Sequence, residues 1–165
     1  METSVLTGWT DFLVASAGVL AALAGLVFIS LSINLAKILE MPGLPGRAAE
    51  TIIVLAGGLA GCLVCLIPHL SARSLAVTLG LVTGLTWFGP VLIQVRTVQT
   101  HRYFRVWIEI LRAIMHQIAT LPGVMAAFAL GGVIPGGMLW FGAGIVLSVL
   151  SAILNAWVLL VEIMR

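Results

Sequence analysis

The chain has 165 residues, of which 61% are hydrophobic and 8% are charged, and its formal net charge is +2. Soluble domains carry about 25% charged residues, so this composition cannot cover a water-facing surface and leaves no room for a soluble domain. The few basic residues are scattered, which argues against nucleic acid as a partner. The composition therefore predicts a single transmembrane bundle over residues 1–165, with membrane lipid around it.

The first predicted span covers residues 12–36, FLVASAGVLAALAGLVFISLSINLA, and contains no charged residue. A helix of about 20 apolar residues crosses a hydrocarbon layer of about 30 Å. The segment before it carries Glu2 and Asp11 but no lysine or arginine. A signal peptide needs a basic start and a shorter apolar core, so we expect this span to remain in the mature protein.

Four further apolar runs predict spans two to five. They cover residues 48–66, 75–95, 113–134 and 138–163. Pro90 and Pro122 fall inside the third and fourth spans, where a proline is expected to kink the helix. The predicted fold class is an all-α polytopic transmembrane helix bundle with five spans, and four spans is the alternative.

Residues 103–112 form a polar lead-in to span four. Its charged side chains share one face of a helix with the histidine that follows, because they are spaced by four, three and four residues. These residues are Arg105, Glu109, Arg112 and His116. The pattern predicts an amphipathic helix that lies at the membrane interface or projects into water. A purely interfacial segment over 104–121 would reduce the count to four spans.

Lysine and arginine predict the orientation, because they are enriched on the cytoplasmic side of membrane proteins. With the N-terminus outside, seven basic residues fall on the inner side and only Arg73 falls on the outer side. The inner residues are Lys37, Arg47, Arg96, Arg102, Arg105, Arg112 and Arg165. The predicted N-terminus is therefore outside and the predicted C-terminus is cytoplasmic.

The same topology brings polar residues from four spans to the cytoplasmic end, where they define a predicted polar cluster. Its members are Asn34, Lys37, Arg47, Glu50, Arg112, His116, Asn155 and Glu162. Polar groups in membrane helices face the bundle or a wet cavity and find partners there. One interpretation is an ion or proton pathway, or a polar-ligand pocket. The other is a structural network, in which Glu50 and Glu162 each pair with a basic or amide side chain.

Small residues recur along one face of span one at intervals of three and four. This small-residue stripe consists of Asp11, Ala15, Gly18, Ala22 and Gly25. Shorter patterns of the same kind are Gly57-x-x-x-Gly61, Gly80-x-x-x-Gly84 and Ala127-x-x-x-Gly131. Such spacing lets helix backbones approach closely. We expect the stripe to pack within one protomer, so that Gly25→Leu disrupts packing far more than Leu23→Ile. A subunit interface, or a pore with Asp11 at its mouth, is the alternative.

The cysteines and histidines do not predict a catalytic or metal site. Cys62 and Cys65 form a C-x-x-C pattern inside an apolar run, whereas a redox pair needs an accessible, acidic thiol. Small apolar filler is the interpretation we favour over thiol redox. His69, His101 and His116 are scattered and match no metal-ligand spacing. We expect no cofactor, no metal and no enzymatic activity.

Three segments carry a resemblance to a known family: SINLAKIL over 32–39, LPGRAAE over 44–50 and NAWVLLVEIMR over 155–165. They resemble a family of small bacterial integral membrane proteins that are sometimes labelled modulators of the FtsH membrane protease. The resemblance implies a membrane location and protein partners, and it brings no catalytic residues. The positions that it marks are Asn34, Arg47, Glu50, Asn155 and Glu162.

These observations lead to two hypotheses for a protein of the bacterial cytoplasmic membrane. The first is a small homo-oligomeric channel or permeation protein for ions or small solutes. It follows from the absence of a soluble domain, the small-residue stripe and the polar cluster. The second is a non-enzymatic regulatory or assembly partner of a larger membrane complex.

Overall fold

Six α-helices make up the described part of the chain. The computed structural model describes residues 6–41, 43–100 and 106–164. Within these ranges, the side chains of residues 97–100, 106, 108, 159–160 and 162–164 are not among those described. The helices are α1 Thr10–Ile33, α2 Leu35–Glu40, α3 Leu44–Cys65, α4 Ala72–Thr100, α5 Val106–Leu130 and α6 Met138–Met164. No strand occurs in the described ranges.

Five of these helices are long and apolar enough to cross a membrane, which confirms the predicted all-α bundle with five spans. The four-span alternative is wrong, because α5 is one continuous helix of 25 residues that packs between α4 and α6. The short α2 accounts for the sixth helix. Pro90 and Pro122 lie inside α4 and α5, and both helices continue past them.

The first span ends earlier than predicted, at Ile33, because the backbone leaves the helical region at the next residue. Asn34 has φ −105° and ψ 14°, and its side-chain amide donates to the Ser30 carbonyl at 2.9 Å. A short polar side chain that bonds nearby backbone competes with the helix. The chain then resumes as α2 and turns into α3 through Gly43, whose φ of 85° favours glycine.

Helices α3, α4, α5 and α6 form a closed ring in which each packs against its two neighbours. We call the space that they enclose the seam. Helix α1 packs on α3 from outside this ring and barely touches α6. The bundle is therefore a four-helix unit with one peripheral span.

Glycines allow the helices of the ring to approach closely, as the spacing predicts. A Cβ at Gly57 would overlap the Thr86 side chain, and a Cβ at Gly61 would lie 2.7 Å from the Phe141 ring. Helices α5 and α6 meet where a Cβ at Gly144 would lie 3.0 Å from the backbone nitrogen of Gly123. Close packing by small residues is thus a property of the ring.

The small-residue stripe of α1 does not pack within the protomer, so that prediction is wrong. Asp11, Ala15, Gly18, Ala22 and Gly25 are all exposed. A Cβ at Gly18 or Gly25 would meet no atom within 4 Å, so the expected disruption by Gly25→Leu does not apply to the protomer. The opposite face is buried instead, because its larger side chains bury more apolar surface. That face carries Leu13, Ala17, Leu20 and Val27.

The polar face of α5 points into the bundle, which corrects the prediction of an interfacial or water-facing lead-in. Arg112 and His116 are buried, whereas Trp107 is 82% exposed and Leu111 is also exposed. Arg105 lies outside the described residues. The physical reason is the solvent, since in a membrane the apolar face of a helix points outward and the polar face turns inward.

Candidate functional site

A buried ion pair joins α3 to α5 at one end of the seam. The guanidinium of Arg112 donates from Nε to Oε2 of Glu50 at 2.8 Å, and its Nη2 donates to the other carboxylate oxygen. Its Nη1 donates to Oε2 of Glu109 at 2.8 Å. Glu50 is 4% exposed and Arg112 is 8% exposed. This bidentate arrangement is the strong form of a charge-assisted hydrogen bond.

The helix positions explain why these two side chains meet. Glu50 is the seventh residue of α3 and Arg112 is the seventh residue of α5. At 1.5 Å per residue, each lies about 9 Å along its helix. Gln94, near the opposite end of α4, donates to Oε2 of Glu50 at 3.4 Å. Three helices thus contribute to one buried network at a common depth.

His116 connects this network to the middle of the seam. Its Nε2 lies 3.1 Å from the backbone carbonyl of Trp87 on α4. A carbonyl only accepts, so Nε2 carries the hydrogen and donates. The indole of Trp87 donates to Oε1 of Gln117 at 2.7 Å. These bonds fix α4 against α5 and define the tautomer of the imidazole.

A small inner cavity of about 10 Å³ lies beside the ion pair. Its lining residues are Glu50, Thr51, Val54, Arg112, His116, Ser151, Ala152 and Asn155. A polar cavity of about this size holds about one water molecule. Helix α6 therefore contributes Ser151 and Asn155 to the wall of this cavity.

A second cavity of about 30 Å³ lies farther along the seam, with room for about two water molecules. Its polar lining consists of Thr83, Thr86, Thr120 and Ser148. The Thr120 hydroxyl donates to the His116 carbonyl at 2.8 Å and lies 3.5 Å from His116 Nε2. Val54 lines both cavities. We call the two cavities and the side chains between them the polar column.

The polar column ends at an apolar core in the other half of the seam. The buried residues of this outer apolar core include Cys62, Cys65, Leu75, Leu79, Met138 and Phe141. Phe141 belongs to this core and also lines the second cavity. Its ring lies over Gly61, where no side chain separates the two helices. The seam therefore contains the ion pair and the two small cavities as far as its middle, and it is closed beyond them.

The structure brings together half of the predicted polar cluster. Glu50, Arg112, His116 and Asn155 line the inner cavity. Glu50 lies near a basic side chain, Arg112, as predicted, and also near the amide of Gln94, which was not among the predicted residues. The side chain of Glu162 lies outside the described residues, so its predicted pairing stays a prediction.

Three predicted members of the cluster lie elsewhere. Asn34 bonds to its own helix, Lys37 is exposed and Arg47 is half-buried. Among the described side chains, no hydrogen bond or ion pair links these three residues to Glu50 or Arg112. The physical reason for Asn34 and Lys37 is that α1 packs outside the ring, so the end of this span does not reach the seam.

Sequence reasoning missed the contribution of α4 and most of the hydroxyl groups. Thr83, Trp87 and Gln94 are spaced by four and seven residues and so share one face of α4. On α6, Ser148 and Ser151 precede Asn155 by seven and four residues, so these three side chains also share one face. These two polar stripes in otherwise apolar helices were the available signal.

The cysteines lie in the outer apolar core as free, fully buried thiols. In the described part of the chain, no group of three histidine, cysteine or carboxylate side chains is placed to hold a metal ion. Comparisons with protein-family models, with curated proteins and with solved structures return no match. The geometry of the seam is therefore the basis for assigning a function.

Proposed function

We propose that this protein is a gated permeation protein for ions or small polar solutes, and that the seam of one protomer is its pathway. The observation that carries the proposal is the polar column. It combines the buried Glu50–Arg112 pair with two consecutive cavities, a polar one beside the pair and a mainly apolar one with four hydroxyl residues in its wall, inside a membrane-spanning bundle. The proposed pathway is enclosed by α3, α4, α5 and α6, and a pore lined by span one in an oligomer is the alternative to it.

Burial of polar groups in a membrane is costly, and such groups mark ion and solute pathways. An ion pair that only holds two helices together needs its two charged partners and no cavity beside them. Thr83, Thr120 and Ser148 instead line space that tight packing would fill, although their hydroxyls also donate to backbone carbonyls. This arrangement favours a pathway over a simple packing role.

The outer apolar core supplies the gate. Hydrophobic constrictions close channels because water leaves a narrow apolar passage. Phe141 sits at the boundary between the second cavity and this core, next to Leu79 and Gly61. In this proposal the described arrangement is the closed state, and opening requires Phe141 to move away from the seam.

Flux measurements on the purified full chain in liposomes test this proposal. We expect Phe141→Ala to raise ion or solute flux above the wild-type level, because it widens the constriction. Phe128→Ala is the matched control, since Phe128 is 51% exposed on the outer surface of α5. Flux at the level of protein-free vesicles in wild type and Phe141→Ala alike would contradict the proposal.

The proposed location is the bacterial cytoplasmic membrane, with the N-terminus outside and the C-terminus in the cytoplasm. Burial of Arg112 removes one of the seven inner charges from the orientation argument. The other six still oppose Arg73 alone. A reporter that is active only in the cytoplasm, fused after Arg165, should be active in bacterial cells. An inactive fusion would contradict this orientation.

A second candidate function is a non-enzymatic assembly partner of a larger membrane complex, and the exposed small-residue stripe favours it. A face of glycine and alanine that the protomer leaves open suits close packing against a helix of a second copy or of another membrane protein. The resemblance to proteins labelled modulators of a membrane protease belongs to this candidate. Stoichiometric co-purification of a partner, lost in Gly25→Leu, would support it.

A further inference from the structure

We infer that the permeating species is the proton and that His116 relays it between the two cavities. This inference deepens the permeation function proposed above and depends on it. His116 lines the inner cavity, and its Nε2 lies 3.5 Å from the hydroxyl of Thr120, which lines the second cavity. One imidazole and one hydroxyl thus lie between the two cavities.

The hydrogen bonding of His116 leaves it ready to accept a proton. Nε2 donates to the Trp87 carbonyl, so in the neutral ring Nδ1 carries a lone pair and no hydrogen. A proton from water in the inner cavity binds Nδ1. The proton on Nε2 then passes to the hydroxyl of Thr120, which releases its own proton to water in the second cavity. The ring ends as the other neutral tautomer, and reverse tautomerisation resets it, so no proton or electron is gained or lost overall.

The charged groups around His116 are already paired with one another, so none of those described is left to coordinate a metal cation. Both oxygens of Glu50 already accept hydrogen bonds, and the guanidinium of Arg112 brings positive charge to the inner cavity. Glu109, on the same helix as His116, also accepts from Arg112. The described side chains that face this cavity from α6, Ser151 and Asn155, are neutral.

The size of the cavities points to the same species. Spaces of about 10 and 30 Å³ hold about one and two water molecules, respectively. A hydrated cation needs several waters or oxygen ligands at once. A proton can move through single waters, hydroxyls and an imidazole, and the polar column offers His116, Thr120 and two spaces of this size.

The test measures proton and K⁺ flux separately in liposomes that contain the full chain and a pH-sensitive dye. Each variant is prepared with and without Phe141→Ala. His116→Gln retains an amide that donates to the Trp87 carbonyl but takes up no proton. Thr120→Val removes the bridging hydroxyl with little change in shape. The controls are His69→Asn, at an exposed turn with φ 61°, and Thr78→Val, whose hydroxyl bonds within α4.

We expect proton flux in the wild type, more in Phe141→Ala, and loss to the level of protein-free vesicles in His116→Gln and Thr120→Val. Both controls should keep the parent flux. Size-exclusion elution shows whether each variant is folded. If His116→Gln is misfolded, the proton flux of Thr120→Val alone decides the test. Flux of K⁺ without protons, or proton flux unchanged by the folded variants, would overturn this inference while leaving permeation intact. Absence of all flux would overturn both.

Discussion

The guanidinium of Arg112 bonds to both carboxylate oxygens of Glu50, a residue 62 positions earlier in the chain. This contact crosses the seam and joins the starts of α5 and α3. It removes two charges from solvent within a membrane-spanning bundle. Since Arg112 also bonds to Glu109, one guanidinium organises two carboxylates.

Glu50→Gln should destabilise the folded protein, because it leaves the Arg112 guanidinium buried with only one carboxylate partner. Breaking a buried pair from one side costs about 3–5 kcal/mol, and Glu109 should keep the loss near 3 kcal/mol. The measurement is the free energy of unfolding in mixed micelles. Glu40→Gln is the control, since Glu40 is exposed on α2. If Glu50→Gln and Glu40→Gln had equal effects, the pair would not be structurally important.

Gly57→Ala should also destabilise the bundle, by about 1–3 kcal/mol, because the added methyl overlaps the Thr86 side chain and separates α3 from α4. Gly84→Ala, on the facing helix, is the matched control, since a Cβ there would meet no atom within 4 Å. Thermal unfolding followed by circular dichroism gives the comparison. Equal melting temperatures for the two variants would show that α3 and α4 do not approach as closely as described.

The five spans could be predicted from sequence because long apolar runs report directly on the membrane as solvent. The type of partner that Glu50 needs could also be predicted, because a buried carboxylate in a membrane needs a basic or amide side chain beside it. The inner face of α1 could not be predicted. Both faces of α1 are apolar. Which of them packs against α3, the small-residue stripe or the face with Leu13 and Leu20, therefore depends on the shape of α3.

The polar face of α5 was misassigned for a related reason. Helix α5 is amphipathic, with Glu109 and Arg112 on one face and Trp107 on the other. This pattern alone does not say which of the two faces packs against the other helices. The polar stripes of α4 and α6 supplied the missing information, because they match α5 across the seam. Comparison of polar stripes between spans would have placed the site correctly.

Gly25→Leu should leave the stability of the protomer within about 0.5 kcal/mol of wild type, because surface changes away from contacts have small effects. If the exposed face of α1 binds a second copy, the same substitution should dissociate the oligomer. Mass measurement in detergent and chemical cross-linking in membranes report the assembly. An oligomer that survives both Gly25→Leu and Gly18→Leu would rule out α1 as the interface.

The two cysteines should be unreactive in the folded protein, because both thiols are buried in the outer apolar core. We expect N-ethylmaleimide to label Cys62 and Cys65 only after denaturation, as measured by mass spectrometry. A single exposed thiol introduced by Arg73→Cys is the positive control. Fast labelling of the wild-type thiols would reopen the redox interpretation.

The location of the pathway is tested most directly by blocking it at one position. In a Cys62→Ala/Cys65→Ala background, Ser148→Cys places a thiol in the second cavity, and Ser32→Cys places one on the exposed face of α1. Methyl methanethiosulfonate adds a methylthio group to each, and mass spectrometry confirms complete modification. We predict that modification abolishes flux in Ser148→Cys and leaves it unchanged in Ser32→Cys. Flux that survives modification at position 148, or is lost only at position 32, would contradict a pathway through the seam.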